Sequence, residues 1–480
     1  VMCSDIKSDE GFFNTRFQGR WLSLVLEDSP PELVDDLIQR VGAEEPLVFI
    51  HEQNLNWLVD QALCHSDSSI VTEEISVGDI RKVAHLLLLF NNLIRFPDRP
   101  SEFKDLKSRH SFCVGHIRNY QFNSHFQLSK SQWASELARN TLLFSEYLPI
   151  PSLFPRIRTI VEEQLGFSIE YYFQALALLQ AFILEELTPD EDVISLSRFV
   201  SNLQEPMKTY FITLLRMYSC SPKEYIEIYQ HWIEKYNSQI TCPENIRIPL
   251  QRTPIFRIRN DDQIVMPIPQ LVLRKSFDEA LYIAFDSGRL DSGEQQGGLP
   301  SKLGKAFEHY GADIVKRFTD IQGWKFHHSP KEQRKKTESE ITDVYIQKGD
   351  VGILIEFKGG RPGLPFLHGD NNDCRVLGPG KEALERLDQE RIPVQDMANL
   401  DQGYITKSIW QINARLTAVK QWAEEHFDQK PNKLFAMTVL LSDYLPDETV
   451  LNDYIIPLME RVEFDEEVLI PQFIHIRSFE

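Results

Sequence analysis

Residues 343–360 read DVYIQKGDVGILIEFKGG, and no other stretch constrains the fold as tightly. Two apolar runs rich in Val, Ile, Tyr and Phe flank Gln347 to Asp350, and the Lys-Gly-Asp between them is turn chemistry. The segment is expected to fold back on itself as an antiparallel hairpin. It also carries charges in an awkward place. Asp343 opens the first run, and Glu356 and Lys358 close the second. Side chains alternate along a strand, so Glu356 and Lys358 share one face while Ile355 and Phe357 share the other. Asp343 lies seven residues before Asp350 and Glu356 six after it, which sets the two acids at about the same height across the pair.

Burying such a cluster for packing alone is costly, because the carboxylates repel and every charge loses water. A divalent cation between the carboxylates removes the objection. Hard oxygen ligands suit Mg²⁺, which keeps several waters and binds through one or two carboxylates plus a substrate phosphate. A neighbouring lysine orients or helps deprotonate an attacking water, or neutralises charge developing on phosphorus. The tripeptide alone carries little weight. Asp5-Ile6-Lys7, Glu102-Phe103-Lys104, Asp105-Leu106-Lys107 and Asp428-Gln429-Lys430 repeat it without a hairpin partner that bears an acid. The competing reading is a salt-bridged edge hairpin whose charges face solvent.

Asp343 followed across a tight hairpin by Glu356-Phe357-Lys358 resembles the PD-(D/E)xK nuclease superfamily. The preceding LGKAFEHYGADIVKRF places Glu308 where many members carry a further acid, and Gln411 stands where the exonuclease-like branch has a glutamine. Arg415 replaces the tyrosine of that branch, and Thr342 replaces the proline before the first acid. The resemblance covers about residues 303–445. It implies an αβββαβ core with a mixed sheet flanked by helices. It also implies Mg²⁺ or Mn²⁺ held by Asp343, Glu356 and the Phe357 carbonyl, with Lys358 serving the water and Glu308 as a second-shell or second-metal acid. The implied activity is phosphodiester hydrolysis in DNA, of the kind found in restriction, repair or phage-defence systems. For Glu308 the plainer reading is an exposed helical acid, and for Gln411 a polar position on an amphipathic helix.

The rest of the chain suggests an α+β protein in parts. Segments 80–96, 132–148, 169–187 and 207–219 place apolar residues at helical spacing. Residues 221–237 add a serine N-cap, a proline at the first helical position and a nearby glutamate. A proline-bearing hairpin is expected at 247–273, read as edge strands or a linker-like hairpin, then a helix at 276–285 and a Gly/Ser-rich joint at 286–302. The boundaries expected are a helical recognition or interaction region over 1–245, a connector over 246–300 and a nuclease-like domain over 301–480. In the last, helices at 305–318 and 405–427 bracket the hairpin, and strands follow at 433–445 and 472–479.

A net charge of −20 argues against nonspecific coating of nucleic acid. Between Ser301 and Arg361, however, twelve Lys and Arg stand against nine Asp and Glu. Within that window Lys331, Arg334, Lys335 and Lys336 form a basic run, expected as a solvated loop that contacts a phosphate backbone. His327-His328 lacks a third ligand at suitable spacing. The six cysteines are scattered and read as reduced thiols. Acids stand where a signal peptide has its basic n-region, and no apolar run is long enough for a bilayer, so the chain is expected in the cytoplasm without a membrane partner. The helical half is the expected site for a protein partner or a second copy. The alternative to a nuclease is an inactive nuclease-fold scaffold, or a nucleic-acid-binding protein that acts with a partner.

Overall fold

The computed structural model describes residues 102–121, 130–147, 154–186 and 194–236, then 250–275 with short gaps, 299–359 without 335–336, and 375–480 without 402, 428 and 442–444. The helices expected at 80–96 and 276–285 and most of the Gly/Ser-rich joint lie outside the described residues. The protein is α+β, with mixed sheet in its C-terminal half. Contacts divide the chain into two units. The first takes in Asn123–Leu137 and Leu165–Glu279; the second takes in Pro97–Phe122, Ala138–Gln164 and Ala280–Glu480. Two segments that the sequence groups with the helical first half therefore belong with the hairpin. No single described helix is long and apolar enough to cross a membrane.

In the first unit, helices α1 (Ile169–Ala181), α2 (Met207–Met217) and α3 (Pro222–Tyr236) accompany a small sheet. Its strands are β1 (Ile194–Ser195), β2 (Ser219–Cys220), β3 (Ile255–Ile258) and β4 (Gln263–Val265), in the order β1-β4-β3-β2. The β3–β4 pair is the expected proline-bearing hairpin, but it sits inside the sheet and not at its edge, because Pro254 and Pro267 fall just outside the paired residues. The start of α3 is a reciprocal cap. Ser221 Oγ accepts from the Glu224 N–H at 3.2 Å, and the Glu224 carboxylate accepts from the Ser221 N–H at 2.7 Å. Such a cap contributes about 1 kcal/mol. Arg257 of β3 also donates to Glu224 at 2.8 Å, which ties helix to sheet.

The second unit carries the site. Helix α4 (Leu299–Gln322) leads into β5 (Lys325–His328), β6 (Lys331–Arg334), β7 (Thr337–Glu340), β8 (Val344–Lys348) and β9 (Val351–Lys358). A two-residue strand β10 (Ile392–Pro393) precedes α5 (Tyr404–Asn413), α6 (Leu416–His426) and β11 (Lys433–Leu440). Strands β12 (Val462–Glu463) and β13 (Gln472–His475) close the chain, and the expected terminal strand turns helical at Ile476. The main sheet has the order β13-β11-β9-β8-β5. Strands β5, β8 and β9 form an antiparallel meander, while β11 runs parallel to β9 and β13 parallel to β11. The single helix expected at 405–427 is broken at Ala414–Arg415. There the Asn413 side chain binds both the N–H and the carbonyl of Leu469, and Arg415 reaches the Ile341 carbonyl.

Helix α4 lies on the face of β9 that presents Phe357. The Phe357 ring packs edge-on against Phe307 and Phe479, with centroids 5.7 and 5.8 Å away. Gly311 makes this approach possible: a Cβ there would stand 2.1 Å from the Phe357 ring. Alanine is the better helix former by about 1 kcal/mol. The clash outweighs that gain, because the ring is wedged between two others. Gly311→Ala is expected to destabilise the protein by about 1–3 kcal/mol, as read by chemical denaturation. A stabilised variant would contradict this packing.

Candidate active site

Three local features of the chain assemble the charges. First, Lys348 pairs with Val351, so Gly349 and Asp350 form a two-residue turn, and Gly349 takes φ 61°, which a side chain disfavours. Second, Val344 lies opposite Ile355, so the next step of the register sets Asp343 opposite Glu356. Third, a β-bulge precedes Asp343. His328 pairs with Val344 and Lys331 with Glu340, which leaves two residues, 329–330, facing three, 341–343. Ser329 takes φ 48° there, and its N–H donates to the Asp343 carbonyl at 2.8 Å. A bulge twists and re-aims the strand that contains it. Here that strand carries Asp343.

Glu356 and Lys358 share their face of β9 with Leu354, which packs with Tyr345, Val419, Trp422 and Ala423 under α6. Asp343 is 7% and Glu356 2% exposed, and β9 is an interior strand, so these are not the solvent-facing charges of an edge hairpin. Lys358 Nζ donates to Glu356 Oε2 at 2.6 Å. The Phe357 N–H donates to Asp343 Oδ2 at 2.7 Å. The other Glu356 oxygen, Oε1, is buried and accepts no hydrogen bond from the protein. Burial, and then the negative charge of Glu356, push the Asp343 carboxyl well above the usual carboxylate range; Lys358 only partly offsets this. Burial pulls the Lys358 ammonium down, but Glu356 and Asp343 outweigh it and hold the pKa above the ordinary lysine value.

Glu308 joins the group electrostatically from α4. Its side chain is half-buried and accepts from Lys305 Nζ at 2.6 Å, and burial raises its pKa despite that partner. Lys305 also faces Glu340 at 3.8 Å. Sequence reasoning missed both residues, although Lys305 stands one helical turn from Glu308 and Glu340 three residues before Asp343. Gln411 lies on α5, a helix that packs on β9, and its Oε1 is buried without a hydrogen-bond partner. The basic run is corrected from loop to strand: Lys331 and Arg334 lie on β6, paired with β7, in a ribbon that prolongs β5 and β8 past the bulge. The ribbon forms because Thr337 to Glu340 supply a partner of matching length. Lys335 and Lys336 lie outside the described residues.

No family model, curated protein or solved structure matches the chain. The site's own chemistry therefore has to carry the functional reading. Among the described residues no group of three or more His, Cys, Asp and Glu side chains is arranged to hold a metal. The donors available at this site are Asp343, Glu356 and the Phe357 carbonyl. Two carboxylates and a carbonyl fit a hard cation that retains water, and the unpartnered Glu356 Oε1 together with the Asp343–Glu356 repulsion are what such a cation relieves.

Proposed function

We propose that the second unit is a metal-dependent nuclease of the PD-(D/E)xK type that hydrolyses phosphodiester bonds in DNA. The observation that carries this reading is the buried pair of Asp343 and Glu356, opposed in register, mutually repelling and neutralised on one side only by Lys358. A buried charge left without its full set of partners is costly, and this cluster leaves a carboxylate oxygen bare. The order α4, β5, β8, β9, α5–α6, β11, with the fourth strand parallel to the third, supports the restriction-endonuclease-like fold that the motif implies.

Asp343, Glu356 and the Phe357 carbonyl would hold Mg²⁺ or Mn²⁺, with Glu308 and its Lys305 partner beside them. When bound, such a cation acidifies water and stabilises negative charge on phosphate oxygens. The chain itself contributes the cationic Lys358, placed to offset charge that develops on phosphorus. The bulge fixes the aim of Asp343, and the Phe357 N–H holds its other oxygen. Incubation of the full chain with plasmid, linear DNA and RNA, in Mg²⁺, Mn²⁺ or EDTA, tests the reading. Metal-dependent DNA cleavage supports it, and binding without cleavage in every metal favours the inactive scaffold.

The β6–β7 ribbon supports duplex DNA as the substrate. It extends the hairpin by about 13 Å from the bulge, and a two-stranded ribbon fits a major groove. Lys331 and Arg334 lie on its first strand, and Lys335 and Lys336 follow them in the sequence. Replacing Lys335 and Lys336 by Glu is expected to weaken DNA binding about ten-fold or more at low salt. It should also cut the slope of log affinity against log salt by about two, equally for unrelated sequences. Unchanged binding and salt slope would remove the ribbon from the interface.

A further inference from the structure

We propose that Thr438 is a positioning residue for Glu356, its hydroxyl holding the carboxylate oxygen that Lys358 leaves free. This rests on the reading of Asp343 and Glu356 as metal-binding carboxylates. Strand β11 runs parallel to β9 in a register that pairs Thr438 with Glu356. Partners on neighbouring strands project from the same face of a sheet. Ala436, two residues back on β11, packs with Ile412 and Leu416, so this is the face that α5 and α6 cover. Thr438 is 0% and Glu356 2% exposed. Thr438 Oγ1 and Glu356 Oε1 are both buried without a hydrogen-bond partner in the protein.

Two bare polar atoms at paired positions are more than two separate defects. A hydroxyl offers a proton and a carboxylate oxygen only accepts, so one bond satisfies both. At the spacing of paired residues that bond is made directly by rotation of the threonine side chain, or through one water. Glu356 would then be held on both sides, by Lys358 at Oε2 and by Thr438 at Oε1, and could rotate away from Asp343 on neither. Groups that orient a metal ligand are typically worth 10–100-fold in metal affinity.

The test is Mn²⁺ titration of the full chain by calorimetry and by loss of the free-ion paramagnetic signal, with no substrate present. Thr438→Val keeps shape and strand preference but removes the hydroxyl. It is expected to weaken Mn²⁺ about ten-fold, and Thr438→Ala should do the same with a different volume. Thr438→Ser should stay within about threefold of wild type, because it keeps the hydroxyl. If Thr438→Val binds Mn²⁺ as wild type does while Asp343→Asn abolishes binding, the role of Thr438 is wrong and the metal site stands. If wild type takes up no Mn²⁺, both readings fall.

Discussion

Asp343→Asn is expected to stabilise the metal-free protein and at the same time to abolish cleavage. The two effects have one cause. Asp343 and Glu356 face each other while buried, and the Asp343 carboxyl is held well above its ordinary range by burial and by Glu356. A raised folded pKa means that folding favours the neutral form. The stability this group contributes is therefore fullest at low pH and is lost as pH rises through the folded value. Asparagine is neutral at every pH and keeps an oxygen for the Phe357 N–H. Its advantage should appear above that titration, at about 1 kcal/mol in EDTA, and vanish in acid. Cleavage in Mg²⁺ should fall at least about a thousand-fold, since one of two carboxylates is gone. Lys358→Ala should lose cleavage as well, but with the opposite sign in stability. It strands two buried carboxylates and is expected to cost about 3 kcal/mol. Urea unfolding in EDTA beside plasmid cleavage in Mg²⁺ measures both. An Asp343→Asn protein that is less stable and still cuts DNA would make this a structural ion cluster.

The hairpin was legible because its signal is local. Alternation, the Gly349 turn and the count of residues on either side of Asp350 together fix which side chains meet. The reciprocal cap of α3 was legible for the same reason, since Ser221, Pro222 and Glu224 lie within four residues. What escaped depends on contacts distant in sequence or on single-residue offsets. Strand β5 is Lys-Phe-His-His and β7 is Thr-Glu-Ser-Glu, with no apolar run to announce them; pairing makes them strands. The bulge beside Asp343 exists only as a mismatch between two registers. Thr438 is one hydroxyl in an apolar strand, and only the β9–β11 alignment brings it to Glu356. The helix Leu106–Gln121 falls by sequence order in the first half. It belongs with the second unit because Ile117 and Val114 are buried with Leu384, Trp410 and Tyr454, some three hundred residues on.

Asp401→Ala is expected to unfold the second unit's support for the site, at a cost of about 3 kcal/mol or more. Asp401 is 0% exposed and accepts from the Gly403 N–H at 2.7 Å and from Trp410 Nε1 at 2.6 Å, with Thr406 as a third partner. These bonds fasten the first turns of α5, the helix that carries Gln411. Thr406 in turn accepts from the Gly378 N–H at 3.0 Å, and Tyr454 donates to the Gly378 carbonyl at 2.7 Å. Gly378 must be glycine, because a Cβ there would stand 1.6 Å from Asp401 Oδ1. Truncation to alanine leaves two buried N–H groups bare, those of Gly403 and Trp410 Nε1, each worth about 1–3 kcal/mol. Asparagine should cost less, about 1 kcal/mol, since it keeps one acceptor and removes a buried charge. The pH dependence separates the two effects. Burial pushes Asp401 up to about 6 from 3.8, so its carboxyl is neutral in the folded protein where the unfolded chain has already ionised. Stability from this group should therefore decline between about pH 4 and pH 6 and level off above. Asp401→Asn should flatten that decline, and denaturant titrations from pH 4 to pH 8 would show it. If both variants unfold at wild-type denaturant concentrations, these bonds do not hold α5 in place.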